Sequence, residues 1–180
     1  MDRQPVLEGD RLVLRPLTQD DYAALFAVAS DRQIWAVHPS HDRWQEPVFR
    51  DFFADAMAGG GALAIVDKAS GAVIGSSRFG TPEHTGSGEI EIGWSFLSRA
   101  FWGTGYNAEF KRLMLTHALA HYPTCVFLVG ADNVVSRKAM AKIGGEVLSG
   151  RDFTVERCGV PSPHVIYAIT RESFAAGPLA

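Results

Sequence analysis

The 180-residue chain, 47% hydrophobic and 21% charged, is sized for one domain with a substantial core and excludes intrinsic disorder. Its 17 Lys and Arg against 20 Asp and Glu leave a net charge of −3, which gives no bulk field for gripping nucleic acid or an anionic membrane. Residues 1–10 are polar and no window approaches the roughly 18 apolar residues of a membrane span, so a cytoplasmic protein is expected. Two cysteines, Cys125 and Cys158, are too few for a disulfide scaffold or a metal framework and read as free thiols.

Residues 11–17 (RLVLRPL) alternate apolar and polar side chains as a half-buried strand does, with Pro16 suited to its end. Thr18 is placed to cap a helix that carries Asp20 and Asp21 in its first turn and continues through Tyr22, Leu25, Phe26 and Val28. Val48, Phe49, Phe52 and Phe53 form the apolar stripe of a second helix over 46–57, closed by Gly59, Gly60 and Gly61. Strands over 62–67 and 72–79 follow as a hairpin turning at Ser70 and Gly71.

Residues 89–96 (EIEIGWSF) alternate, with Glu89 and Glu91 on one face and Ile90 and Ile92 on the other. A glycine-containing turn leads into a long amphipathic helix over 105–121. Residues 124–130 (TCVFLVG) read as a strand buried on both faces. A helix over 133–143, ended by Gly144 and Gly145, precedes strands over 146–156 and 162–170. One α/β domain over 1–180 is expected, with short flexible tails near 1–8 and 173–180.

The chemistry concentrates where the strand at 89–96 runs into the helix after Gly105. Such a turn presents unpaired backbone N–H groups at the positive end of a helix dipole, a ready anion site, and glycine lets a ligand approach the backbone closely. A Walker A loop is excluded because Tyr106 and Asn107, not Lys and Ser or Thr, follow Gly105. A dinucleotide fingerprint is disfavoured: Ala108 occupies the third glycine position and no acidic residue follows a strand at the required distance.

Leu12-Val13-Leu14-Arg15-Pro16-Leu17 with Asp20 and Asp21, Glu91-Ile92-Gly93-Trp94, Trp102-Gly103-Thr104-Gly105-Tyr106, Asn133 with Ser136, and Lys142-Ile143-Gly144-Gly145 occur in an order and spacing that resembles the GNAT N-acetyltransferases, and within them the RimJ/RimL-like branch. The resemblance covers nearly the whole chain. It implies a central mixed, mostly antiparallel sheet of about seven strands with about four helices and a splayed wedge for the acyl donor, acetyl coenzyme A. The family's pyrophosphate loop falls on Trp102, Gly103, Thr104, Gly105, Tyr106 and Asn107, with backbone N–H groups through Ala108 cradling phosphate. Trp102 and Asn107 depart from the general family pattern. Phe96 and Leu97 are expected along the pantetheine arm, and Asn133 on its far side.

The same resemblance implies acetyl transfer to a primary amine, of a peptide N-terminus or a small molecule, without metal. Glu91, eleven residues before Trp102, stands where histone-acetylating members carry a catalytic glutamate; Glu89 on the same face is expected to raise its pKa. Ser136 is the hydroxyl expected to stabilise the departing thiolate, since Ala139 and Met140 occupy the region where many members carry a tyrosine. Trp35, His38 and Arg78 are expected at the acceptor pocket. Arg99, Lys111, Arg112, Arg137 and Lys138 read as cations flanking the phosphate loop. A homodimer is compatible with these features, and a non-catalytic acyl-coenzyme A-binding sensor is the alternative reading.

Overall fold

The computed structural model describes residues 1–80 and 85–180. The chain enters through β1 (Leu7–Glu8) and β2 (Leu12–Pro16) and then α1 (Tyr22–Ala29) and α2 (Glu46–Gly59). The β3–β4 hairpin (Ala62–Asp67, Val73–Phe79) leads to β5 (Glu89–Leu97), α3 (Tyr106–Leu119), β6 (Thr124–Gly130) and α4 (Val134–Lys142). The last elements are β7 (Glu146–Val147), β8 (Phe153–Arg157), β9 (Val160–Thr170) and α5 (Arg171–Ala175). Among the described residues these make a nine-stranded mixed sheet in the order β1-β2-β3-β4-β5-β6-β9-β7, with β8 also pairing β9.

The count exceeds the seven strands and four helices expected. Residues 146–156 are two strands instead of one, separated at Gly150, whose φ of 74° interrupts the extended chain. The tails expected to be flexible contribute β1 and α5, and Leu179 packs into the core. Thr18 precedes a short 3-10 turn, Gln19–Asp21, that leads into α1. There Asp21 accepts two bonds from the Arg15 guanidinium, at 2.8 and 2.7 Å, and one from the Thr18 N–H. This fork ties β2 to α1 and holds the Asp21 carboxyl below its usual pKa.

Period-two alternation splits the apolar residues between two faces of the sheet. Leu12, Leu14, Leu63, Ile65, Ile90 and Ile92 pack with Phe110, Met114 and Leu115 of α3. On the other face Ala62, Ala64 and Phe96 pack with Leu25 of α1, Trp35, and Phe49 and Phe53 of α2.

Two irregularities shape the interior. The parallel pairing of β5 with β6 covers Glu89–Thr124, Ile90–Cys125 and Glu91–Val126 and then stops. Beyond it β5 follows β4 while β6 follows β9, so the sheet opens between Ile92–Leu97 and Phe127–Gly130. The register of β4 against β5 also shifts, because Ser76 faces Phe96 but Arg78 faces Gly93. Trp94 and Ser95 therefore both oppose Ser77, a β-bulge with Trp94 at φ 52°. Bulges of this kind re-aim side chains beside functional sites.

Candidate active site

The opening between β5 and β6 is the floor of a cleft of about 1210 Å³, walled by the segment between α1 and α2, the starts of α3 and α4, and the β8–β9 hairpin. At one end lies the turn before α3. Gly103 (φ 74°) and Gly105 (φ 89°) adopt the left-handed conformation that favours glycine. The backbone N–H groups of Gly103, Thr104, Gly105, Tyr106, Asn107 and Ala108 have no acceptor among the described residues, and the first bond of α3 runs from the Glu109 N–H to the Gly105 carbonyl. Six free donors at a helix N-terminus form an anion cradle. Arg11 braces it by donating to the Thr104 carbonyl at 2.8 Å and pairing with Glu109 at 2.7 Å.

Trp102, Gly103, Gly105, Asn107 and Ala108 line the cleft; Thr104 and Tyr106 do not. The Thr104 hydroxyl donates to the Phe101 carbonyl and the Tyr106 hydroxyl to Asp67, so these two offer only their backbone N–H. Phe96 and Leu97 line the cleft where the edge of β5 toward β6 is unpaired, and Trp102 Nε1 donates to the Leu97 carbonyl at 2.9 Å. Asn133 and Ser136 face them from α4. Asn133 Oδ1 caps that helix by accepting from the Ser136 N–H at 3.1 Å. The Ser136 hydroxyl has no hydrogen-bond partner among the described residues.

Glu91 lies deep in the cleft, at the last β5–β6 pair, with 5% of its surface exposed. An added Cβ at Gly93 would stand 2.8 Å from its carboxylate, and one at Gly80 3.2 Å, so two glycines make the space it occupies. Burial pushes its pKa up to about 7, against the pull of Arg78 and Lys111. The expected cause was Glu89, and the structure corrects it. Glu89 forms a two-pronged ion pair with Arg151, at 2.6 and 2.9 Å, which holds its own carboxyl below the usual range.

Lys111 also departs from expectation. Its amine is buried, donates to Ser95 Oγ at 2.8 Å, and sits over the rings of Phe110 and Phe127. Ser95 is 2.8 Å from Ser77, so the bulge and the lysine form one network. Burial pushes the Lys111 pKa down to about 7. The sequence did carry a signal, since Lys111 lies within the helical stripe of Phe110, Met114, Leu115 and Ala118, all buried.

Of the residues expected at the acceptor pocket, Trp35 and His38 line the cleft and Arg78 does not. Trp35 is buried with Nε1 donating to the Ala29 carbonyl, and His38 meets its ring edge-on. His38 Nδ1 accepts from the Ser40 N–H, and burial pushes its pKa down to about 3, which keeps the ring neutral and a weak base. Arg78 pairs with Asp55 at 2.8 Å and stacks on Trp94, with Nε and Nη2 buried and unpartnered among the described residues. Arg43, Arg151, Arg157 and His164 line the cleft without having been expected there.

The acetyltransferase (GNAT) domain profile matches residues 11–146, three quarters of the chain. The chain belongs to the GNAT acetyltransferase family. A GCN5-related N-acetyltransferase from Brucella melitensis is 21% identical with a TM-score of 0.83, over 96% of this chain and 81% of that one. A GNAT-family acetyltransferase from Bacillus anthracis is 20% identical with a TM-score of 0.76, over 93% and 99%. Mycobacterium smegmatis RimJ, solved with CoA-disulfide, is 19% identical with a TM-score of 0.71, over 97% and 91%. The acetyltransferase assignment makes coenzyme A the group to be fitted. Six free N–H groups beside the open space at Gly103 suit a pyrophosphate, and the unpaired edge of β5 suits an extended amide-bearing arm. No helix among the described residues is long and apolar enough to cross a membrane.

Proposed function

We propose that this acetyltransferase moves an acetyl group from acetyl coenzyme A to a primary amine by direct attack in a ternary complex. The observation that carries the reading is Glu91, buried in a cleft that also holds a backbone anion cradle. An amine must lose a proton to form an amide, and a carboxylate poised near 7 is matched to accept it. Gly103 through Ala108 hold the pyrophosphate through their N–H groups, and Phe96, Leu97 and Asn133 flank the pantetheine. The Ser136 hydroxyl is available to the sulfur as charge develops on it. The resemblance of the sequence motifs to the RimJ/RimL-like branch supports a peptide α-amine as one acceptor class to test.

Thiol release from acetyl coenzyme A across a panel of primary amines tests the reading. Turnover should fall as pH drops through about 7, where Glu91 becomes protonated. Glu91→Gln should lower kcat by roughly two orders of magnitude and flatten that acid limb. Tight binding of coenzyme A with no turnover on any amine would instead favour a non-catalytic sensor. An unchanged pH profile in Glu91→Gln would remove Glu91 from the mechanism.

A further inference from the structure

The acceptor end of the cleft holds cations without counter-ions. Arg43, on the segment between α1 and α2, stacks its guanidinium over Phe52 at 4.3 Å and Trp35 at 5.1 Å. Arg157 reaches the same cleft from the end of β8. Their two elements touch, since Cys158 Sγ donates to the Pro39 carbonyl at 3.7 Å. Arg11, Arg15, Arg50, Arg78, Arg99 and Arg151 each have a carboxylate partner. Arg43 and Arg157 have none among the described residues, and Arg43 makes no side-chain hydrogen bond there. The other titratable groups around the pair are the imidazoles His38 and His164, the Cys158 thiol, Arg78 and Asp42, whose charge acts on Arg43 without forming an ion pair with it.

Arg43 is half-buried and Arg157 exposed, so an anion entering the cleft can reach both, and stacking on the two rings offsets only part of what Arg43 loses in solvation. Burial and then the charge on Arg157 push the Arg43 pKa down to about 10, which leaves it charged at neutral pH. A pair of arginines delivered from two elements into one cleft suits an anion that arrives with the ligand, because the planar fork matches carboxylate or phosphate oxygens. The cofactor's pyrophosphate has its own cradle at Gly103–Ala108, and its 3′-phosphate lies on the nucleotide side of that cradle, away from the pantetheine and the acyl group. The anion left to be explained is therefore on the acceptor.

We propose that Arg43 and Arg157 form an anion clamp, and that the acceptor is a primary amine bearing a carboxylate or phosphate, held with its nitrogen toward Glu91. This inference rests on the acetyl-transfer reading and deepens it. Stacking on Trp35 and Phe52 fixes Arg43, Arg157 closes the clamp from the hairpin, and neutral His38 fills the wall between them without adding charge. Specificity then follows from the charge-assisted fork that an anionic acceptor gains at the two guanidinium groups and a neutral amine does not.

The test compares amino acids of increasing chain length with their amides, and O-phosphoethanolamine with ethanolamine. Two readouts are used: thiol release from acetyl coenzyme A, and tryptophan fluorescence, which reports on the cleft through Trp35, Trp94 and Trp102 without any turnover. The anionic member of at least one pair should exceed its neutral partner in kcat/KM by about 100-fold or more. Which pair responds distinguishes carboxylate from phosphate. Arg43→Met and Arg157→Met should each collapse that ratio toward one, and Arg43→Lys should restore part of it. Equal kcat/KM for charged and neutral partners throughout would overturn the clamp while leaving acetyl transfer intact. Fluorescence-detected binding of an anionic amine that is lost in Arg43→Met, with no thiol released, would uphold the clamp and sink the transfer reading.

Discussion

Glu91 and Lys111 approach neutrality from opposite sides, and each affects the other. Lys111 draws the Glu91 pKa down by its charge, so removing it should move the acid limb of the pH–rate profile upward; Lys111→Met is the variant and the profile is the measurement. The stability consequence has a definite sign. The folded pKa of Lys111 lies at about 7, below its ordinary 10.5, so the unfolded chain binds more protons between those values and the protein gains stability as pH rises through that window. Glu91 is raised from 4.5 to about 7, so its contribution is present at low pH and is lost as pH rises through that range. Lys111→Met should accordingly be more stable than the parent by about 1 kcal/mol or more below pH 7, with the gain shrinking toward pH 10.5 in denaturant titrations. A gain independent of pH would show that packing, not desolvated charge, governs this position.

At the scale of the element, the N-terminus of α3 combines a local motif with a long-range brace. Gly105 has a φ of 89°, and a Cβ there would lie 3.0 Å from Arg11 Nη2, the guanidinium that fastens the loop to β2. Gly105→Val therefore strains the backbone by about 1–2 kcal/mol and pushes at the brace. Affinity for coenzyme A, measured by calorimetry, should fall at least about tenfold. The β5 bulge is the complementary case. Trp94 and Ser95 opposite Ser77 were not legible in EIEIGWSF, because the alternation that marks the strand continues through Ile92 and gives no warning of an inserted residue. The same bulge places Ser95 beneath the Lys111 amine.

At the scale of the molecule, one sheet carries two cores, and β3, β4 and β5 contribute to both. The two faces should fail together. Phe49→Ala, at a fully buried position touching Phe26, Phe53 and Phe96, should cost about 3–5 kcal/mol and lower the midpoint of a single cooperative transition. Two resolved transitions in chemical denaturation would refute the shared-sheet argument. The fold class and most of the elements were readable from period and turn chemistry, whereas the short β1, α5 and the division of residues 146–156 were not. Two- and five-residue elements carry too few turns of any period to register, and they exist because neighbouring strands offer them partners.

The amino-acid sequence by itself determined the glycine turn before α3 and the family pattern, since glycines before a helix act through backbone conformation set within a few residues. Only the tertiary structure decided which charged groups matter. Glu89 and Glu91 are two residues apart, yet Arg151 neutralises one and burial raises the pKa of the other; Lys111 reads as a cation flanking the phosphate loop until distant segments cover it. Desolvation and ion pairing depend on atoms brought together across the whole chain, and no local spacing encodes them.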